Sequence, residues 1–109
     1  MRRHSWLIVC VLLAGLLCGT EKPAGHEVSI RNLRFEPAEL TIKVGETVKW
    51  TNDDDRDHTV MSRDKETKFK SPILHQGDTW QMTFDKAGKF SYGCRLHPRM
   101  RGTVIVSAK

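Results

Sequence analysis

The chain has 109 residues, with 18 Lys and Arg against 13 Asp and Glu, for a formal net charge of +5. That length suits one small domain. The positive excess is mild, with no long Lys/Arg block and no interleaving of aromatic and basic residues, so nucleic acid is not an expected partner.

The N-terminus reads as a secretory signal. Arg2, Arg3 and His4 form a basic start, and an apolar run follows from Trp6 to Cys18. The run is too short to span a bilayer and gives way to polar sequence, so no membrane span is expected. This assigns residues 1–20 to a signal peptide, 21–26 to a flexible lead-in and 27–109 to one domain, placed in the periplasm or otherwise exported. Cys18 opens a second reading, a lipid anchor, although Leu17 stands where such sites usually carry a small residue. Loss of residues 1–20 would remove Cys10 and Cys18, leave Cys94 as the sole cysteine and bring the net charge to about +3. A lone thiol in an oxidising compartment has no internal disulfide partner, so Cys94 is either a buried core residue or a ligand.

From Glu27 onward the apolar period is two, the period of half-buried strands. Val28 and Ile30 alternate with polar residues. Leu40, Ile42 and Val44 repeat the pattern before a Gly45–Glu46 turn. Val48 and Trp50 mark the next strand, which Asn52-Asp53-Asp54-Asp55 ends. Thr59-Val60-Met61 predicts a short strand after His58. Residues 63–72 are polar and Lys-rich and read as a loop with room for one edge strand. Gly77–Asp78 turns the chain into a strand marked by Trp80, Met82 and Phe84. After Lys86-Ala87-Gly88, Phe90, Tyr92 and Cys94 share one face, and Val104 and Val106 line the last strand. Short strands at this spacing predict an all-β, antiparallel two-sheet sandwich of Greek-key type.

The chemistry concentrates in Cys94-Arg95-Leu96-His97-Pro98-Arg99-Met100, with His58 far upstream. Cys, His and Met recur at intervals of three, so one tight loop can aim a thiolate, an imidazole and a thioether at one point. Two imidazoles, one thiolate and a weak, distant thioether form the donor set of a mononuclear copper centre that exchanges single electrons. Zinc sites use Cys, His and carboxylates, which leaves the thioether without a role. His26 and His75 have no such partners in register and read as surface residues. The Asp53–Asp57 run lacks the glycine and terminal glutamate of a calcium hand and reads as a solvated turn.

The pattern Phe35-x-Pro37-x-x-Leu40-x-Ile42-x-x-Gly45-x-x-Val48-x-Trp50-x-Asn52, then His58-Thr59-Val60, resembles the cupredoxins, small type 1 copper proteins. The segment from Gly88 to Val106 is similar to their C-terminal signature, and its ligand loop is most like that of amicyanin, with plastocyanin loops somewhat different. The resemblance covers Glu27 to Ser107. It implies one type 1 copper cycling between Cu(II) and Cu(I), with His58, Cys94, His97 and Met100 as ligands and Thr59 bracing the cysteine loop. It also implies that a solvent-facing edge of His97 is where electrons enter or leave. The expected function is then single-electron transport between exported redox proteins, without catalysis, by a monomer. Arg95, Arg99 and Arg101 around His97 predict an acidic docking face on at least one partner. The alternative is a copper carrier or storage protein, in which exposed, exchangeable Met and His would replace a strand-anchored thiolate.

Overall fold

Alternation decides which residues become strands and which way they face. In the computed structural model, which describes residues 25–108, eight strands form: β1 (Gly25–Arg31), β2 (Arg34–Glu36), β3 (Glu39–Lys43), β4 (Thr47–Asn52), β5 (Met61–Ser62), β6 (Thr79–Thr83), β7 (Gly88–Gly93) and β8 (Arg101–Ser107). The expected signal peptide, with Cys18, lies outside the described residues. β1 opens at Gly25, two residues ahead of the expected domain boundary. Among the described residues no helix is long and apolar enough to cross a membrane.

The strands form two four-stranded sheets, ordered β2-β1-β4-β6 and β3-β8-β7-β5. Each is mixed, not purely antiparallel: β1 runs parallel to β4 and β3 parallel to β8. The chain crosses between sheets instead of returning as hairpins at these points, and a crossover lets sequence-distant strands run side by side in the same direction. The inward residues of both sheets, among them Val28, Ile30, Ile42, Val48, Trp50, Tyr92, Val104 and Val106, form one core. Burying each such aliphatic or aromatic side chain contributes about 1.5–3 kcal/mol. Tyr92 stands edge-on to both Phe35 (4.7 Å between centroids) and Trp50 (5.3 Å), which locks the two sheets together.

Three details bear on the site. First, β7 and β8 pair Tyr92 with Gly102, and a Cβ at Gly102 would fall 2.3 Å from the Tyr92 ring. Only glycine lets that ring lie across the strand at the foot of the 94–100 loop. Second, the β1–β2 turn places Asn32 and Leu33 in the left-handed region, at φ 53° and 58°. The pair of positive φ values is what a two-residue hairpin turn demands, and leucine adopts it under strain. Third, the strand expected over 59–61 reduces to β5, whose Met61 pairs with Gly93 of β7 and also bridges Lys70, while His58 makes an isolated bridge to Leu74. The Lys-rich 63–72 stretch folds back along β5, with Ser62 N–H donating to Phe69 O at 2.9 Å.

Candidate metal centre

Two segments converge at one pole of the sandwich. Cys94 follows β7 in phase with Phe90 and Tyr92, so its side chain faces inward and is 1% exposed. His58 lies beyond β4 and is held by two backbone hydrogen bonds with Leu74, at 3.1 and 2.7 Å, with its ring fully buried. The connection from β7 to β8 winds in three-residue steps. His97 N–H donates to Cys94 O (3.3 Å) and Met100 N–H to His97 O (2.9 Å), so donors spaced three apart in sequence stack on one side. Met100 is buried and packs in the same core cluster as Cys94.

The donor atoms meet. His58, Cys94 and His97 each bring one ligand atom to within 4.8 Å of the others. Both imidazoles turn Nδ1 toward the thiol, each 3.7 Å from Cys94 Sγ. A metal with bonds of about 2.0 Å to nitrogen and about 2.3 Å to a thiolate would subtend roughly 115–120° across that separation. Both nitrogen–sulfur separations are therefore those of a trigonal ion bound to the thiol and the two rings. Two nitrogens, one thiolate and a buried thioether on the same loop match a copper site in chemistry as well as in shape.

A ring of hydrogen bonds fixes these donors. Thr59 N–H points at Cys94 Sγ (3.3 Å), and Thr59 Oγ1 accepts from Arg95 N–H (2.9 Å), which ties the His58 segment to the cysteine loop. The sequence resemblance gave Thr59 this bracing place. It gave no hint of Asp54. Read from sequence as part of a solvated turn, Asp54 is instead 7% exposed, and its Oδ2 lies 2.9 Å from His58 Nε2. Burial would raise the Asp54 carboxyl. The hydrogen bonds from His58, Leu33 N–H and Asp55 N–H outweigh that and hold it at about 2. A carboxylate on Nε2 fixes the proton there and leaves Nδ1 free to bind a metal. Asn52 supports Asp54 in turn, accepting from its N–H (2.9 Å) and donating to Arg56 O and Leu74 O, both at 2.8 Å. The available signal was position: a side chain four residues before His58, in an Asn/Asp run whose members bond readily to nearby backbone.

The outer surface of the pole differs in character. His97 is half-buried, and it sits among exposed Arg95, Leu96 and Arg99. Leu33, Ile73 and Leu96 are the three exposed large hydrophobic residues among the described residues; Ile73 lines a depression with Thr59 and Arg95, and Leu33 N–H donates to Asp54. His75 is exposed as expected, its Nδ1 2.8 Å from Asp57. His26 is not a free surface residue: it is half-buried and its Nε2 lies 2.9 Å from Glu46.

Comparison with known proteins gives one consistent family. The family model described as Cupredoxin-like domain matches residues 6–106. Amicyanin-alpha of Methylorubrum extorquens is 36% identical over 90 residues, covering 79% of this chain and 76% of that protein. A purple cupredoxin from Nitrosopumilus maritimus superposes with a TM-score of 0.71 at 34% identity, over 75% of this chain and 99% of that one. Amicyanin from Paracoccus versutus superposes with a TM-score of 0.72 at 33% identity, over 82% of this chain and 87% of that one.

Proposed function

The chain belongs to the cupredoxin-like family, and on that premise we propose that it is a blue-copper electron carrier holding one copper ion through His58, Cys94, His97 and Met100. The observation that carries the reading is the approach of both imidazole Nδ1 atoms to within 3.7 Å of a buried, strand-anchored thiol.

Copper supplies a one-electron Cu(II)/Cu(I) couple that a two-imidazole, one-thiolate set with a soft thioether accommodates in both states. The protein's part is rigidity. Thr59 N–H fixes Cys94 Sγ, Asp54 fixes the His58 ring, and the core holds Met100, so the donors keep their places when the charge at the centre changes. Their burial excludes water and substrate, which argues for transport over catalysis and against an exchangeable carrier or storage site. His97 is the donor residue that reaches the surface, so a partner approaches there. Arg95, Arg99 and Arg101 favour a partner with an acidic docking face. The N-terminal basic and apolar run supports an exported location.

The test is to add copper(II) to the purified protein and record its visible spectrum. An intense band that bleaches on reduction and is absent in Cys94→Ala is expected, and a colourless cupric complex would sink the reading. Exchange rates with an acidic redox partner are expected to fall as salt rises, because exposed charges act mainly on encounter.

A further inference from the structure

Residues 25–108 carry fourteen Lys and Arg against twelve Asp and Glu. The near-balance hides a segregation. Asp53, Asp54, Asp55 and Asp57 gather in the loop before His58, while in the fold-back along β5 Arg63, Lys65, Lys68 and Lys70 outnumber Asp64 and Glu66. Those four cations line a cavity of about 490 Å³ whose apolar lining is Met61 and Phe69 and whose single acid is Asp64. Among the described residues, none of the four forms an ion pair: the salt bridges involve His26, Arg31, Arg56, His58 and His75. The lining is anchored, since Phe69 stacks on Trp80 at 6.2 Å and meets Phe84 edge-on at 5.9 Å.

The cavity also shares lining residues with two depressions beside the metal pole. Lys70 lines a second depression together with Thr59, Ile73 and Arg95. Arg63 lines a third together with Ser91, Thr103 and Arg101, and its side chain lies over Gly93, where an added Cβ would come 2.9 Å from the guanidinium. Basic residues therefore line depressions from the fold-back to both sides of the 94–100 loop, with Asp64 the acid among them.

We propose that this groove along β5 docks an acidic, partly apolar polypeptide segment of the redox partner, apart from the contact at His97. The proposal rests on the electron-carrier reading for the partner's identity, though not for the binding itself. Four cations without an ion-pair partner attract carboxylates, and the Met61–Phe69 lining offers a place for an apolar side chain between them. The apolar floor of Met61 and Phe69 between the cations favours a chain segment that carries an apolar side chain. A segment seated there would add charge attraction to the encounter and leave His97 uncovered for the partner's own redox centre.

The test uses a fluorescein-labelled acidic pentapeptide, glutamates flanking one phenylalanine, titrated into the purified protein at low ionic strength and followed by anisotropy. The double variant Lys65→Glu/Lys68→Glu is expected to lose at least about tenfold in affinity. The double variant Arg34→Glu/Lys49→Glu makes the same charge change on the outer face of the first sheet and is expected to stay within about twofold. Replacing the phenylalanine of the peptide by glycine is expected to weaken binding to the parent protein. Equal loss in both variants, no binding by the parent, or binding of anionic vesicles but not of the peptide would each overturn the groove. The visible spectrum, recorded on the same samples, separates the two readings. A blue protein that ignores the peptide sinks the groove alone, and a colourless one that binds it sinks the carrier reading alone.

Discussion

Asp54 shows how much of a metal centre lies outside its donors. The residue touches no candidate metal position, yet its carboxylate meets the far nitrogen of His58 and so determines which ring nitrogen carries the proton. It also accepts Leu33 N–H at 3.1 Å, which draws the strained β1–β2 turn against the site. Positive φ at leucine costs energy that a turn with glycine would avoid, and such strain persists where surrounding contacts over-determine it. Asp54→Ala is expected to lower copper affinity by about 10–100-fold, measured by competition with a chelator, because the His58 ring loses its orienting acceptor. Asp54→Asn keeps an acceptor oxygen at similar reach and is expected to recover most of that loss. An affinity unchanged in Asp54→Ala would mean that the backbone bonds of His58 to Leu74 suffice to aim the ring.

At the scale of elements, the ends of strands are secured by side chains as well as by ladders. His26 near the start of β1 meets Glu46 in the β3–β4 turn, and the same Glu46 oxygen accepts Lys43 N–H at 2.8 Å. The Lys43 amide first, and the His26 ring second, hold the Glu46 carboxyl below its ordinary 4.5. A depressed acid stabilises the fold above its unfolded value, and that contribution is lost as pH falls through the folded one. Urea unfolding midpoints of the parent and of Glu46→Gln are therefore expected to differ most above pH 4.5 and to converge as pH falls below it. The same elements show what could be read in advance. β4, β7 and β8 announce themselves because Val48 and Trp50, Phe90 and Tyr92, and Val104 and Val106 alternate with polar or less buried neighbours and face one core. The three residues of β2 and two of β5 carry no period of their own, and they are strands because β1 and β7 supply their partners. The parallel pairing of β1 with β4 and of β3 with β8 was equally hidden, since alternation fixes which face is buried but not the direction of a neighbour. Cys94, His97 and Met100 were legible because one loop spaces them regularly. The buried place of Asp54 was not, because burial of a carboxylate depends on what folds over it.

For the whole molecule, size sets the energetics. A domain of this length buries a modest core, and its described part has one cysteine, free and buried. An ion that binds the folded site and not the unfolded chain adds stability by mass action, about 4 kcal/mol when its free concentration is a thousand times the dissociation constant. For a domain of 60–100 residues each 1 kcal/mol moves Tm by roughly 4–8 °C. Copper is therefore expected to raise Tm on the order of 15–30 °C, a shift that Cys94→Ala abolishes. How the shift arises distinguishes two kinds of metalloprotein. In small metal-nucleated domains the ion creates the fold, and its removal melts the secondary structure. Here Val28, Ile30, Ile42, Trp50, Tyr92 and Val104 pack the two sheets through contacts that involve no donor residue, and Thr59 ties the His58 segment to the cysteine loop by hydrogen bonds of its own. Far-UV circular dichroism is accordingly expected to be the same with and without copper at 25 °C, while Tm differs. Loss of strand signal on chelation at that temperature would show instead that the pole is assembled by its ion, and the rigidity on which fast electron exchange depends would then belong to the complex and not to the polypeptide.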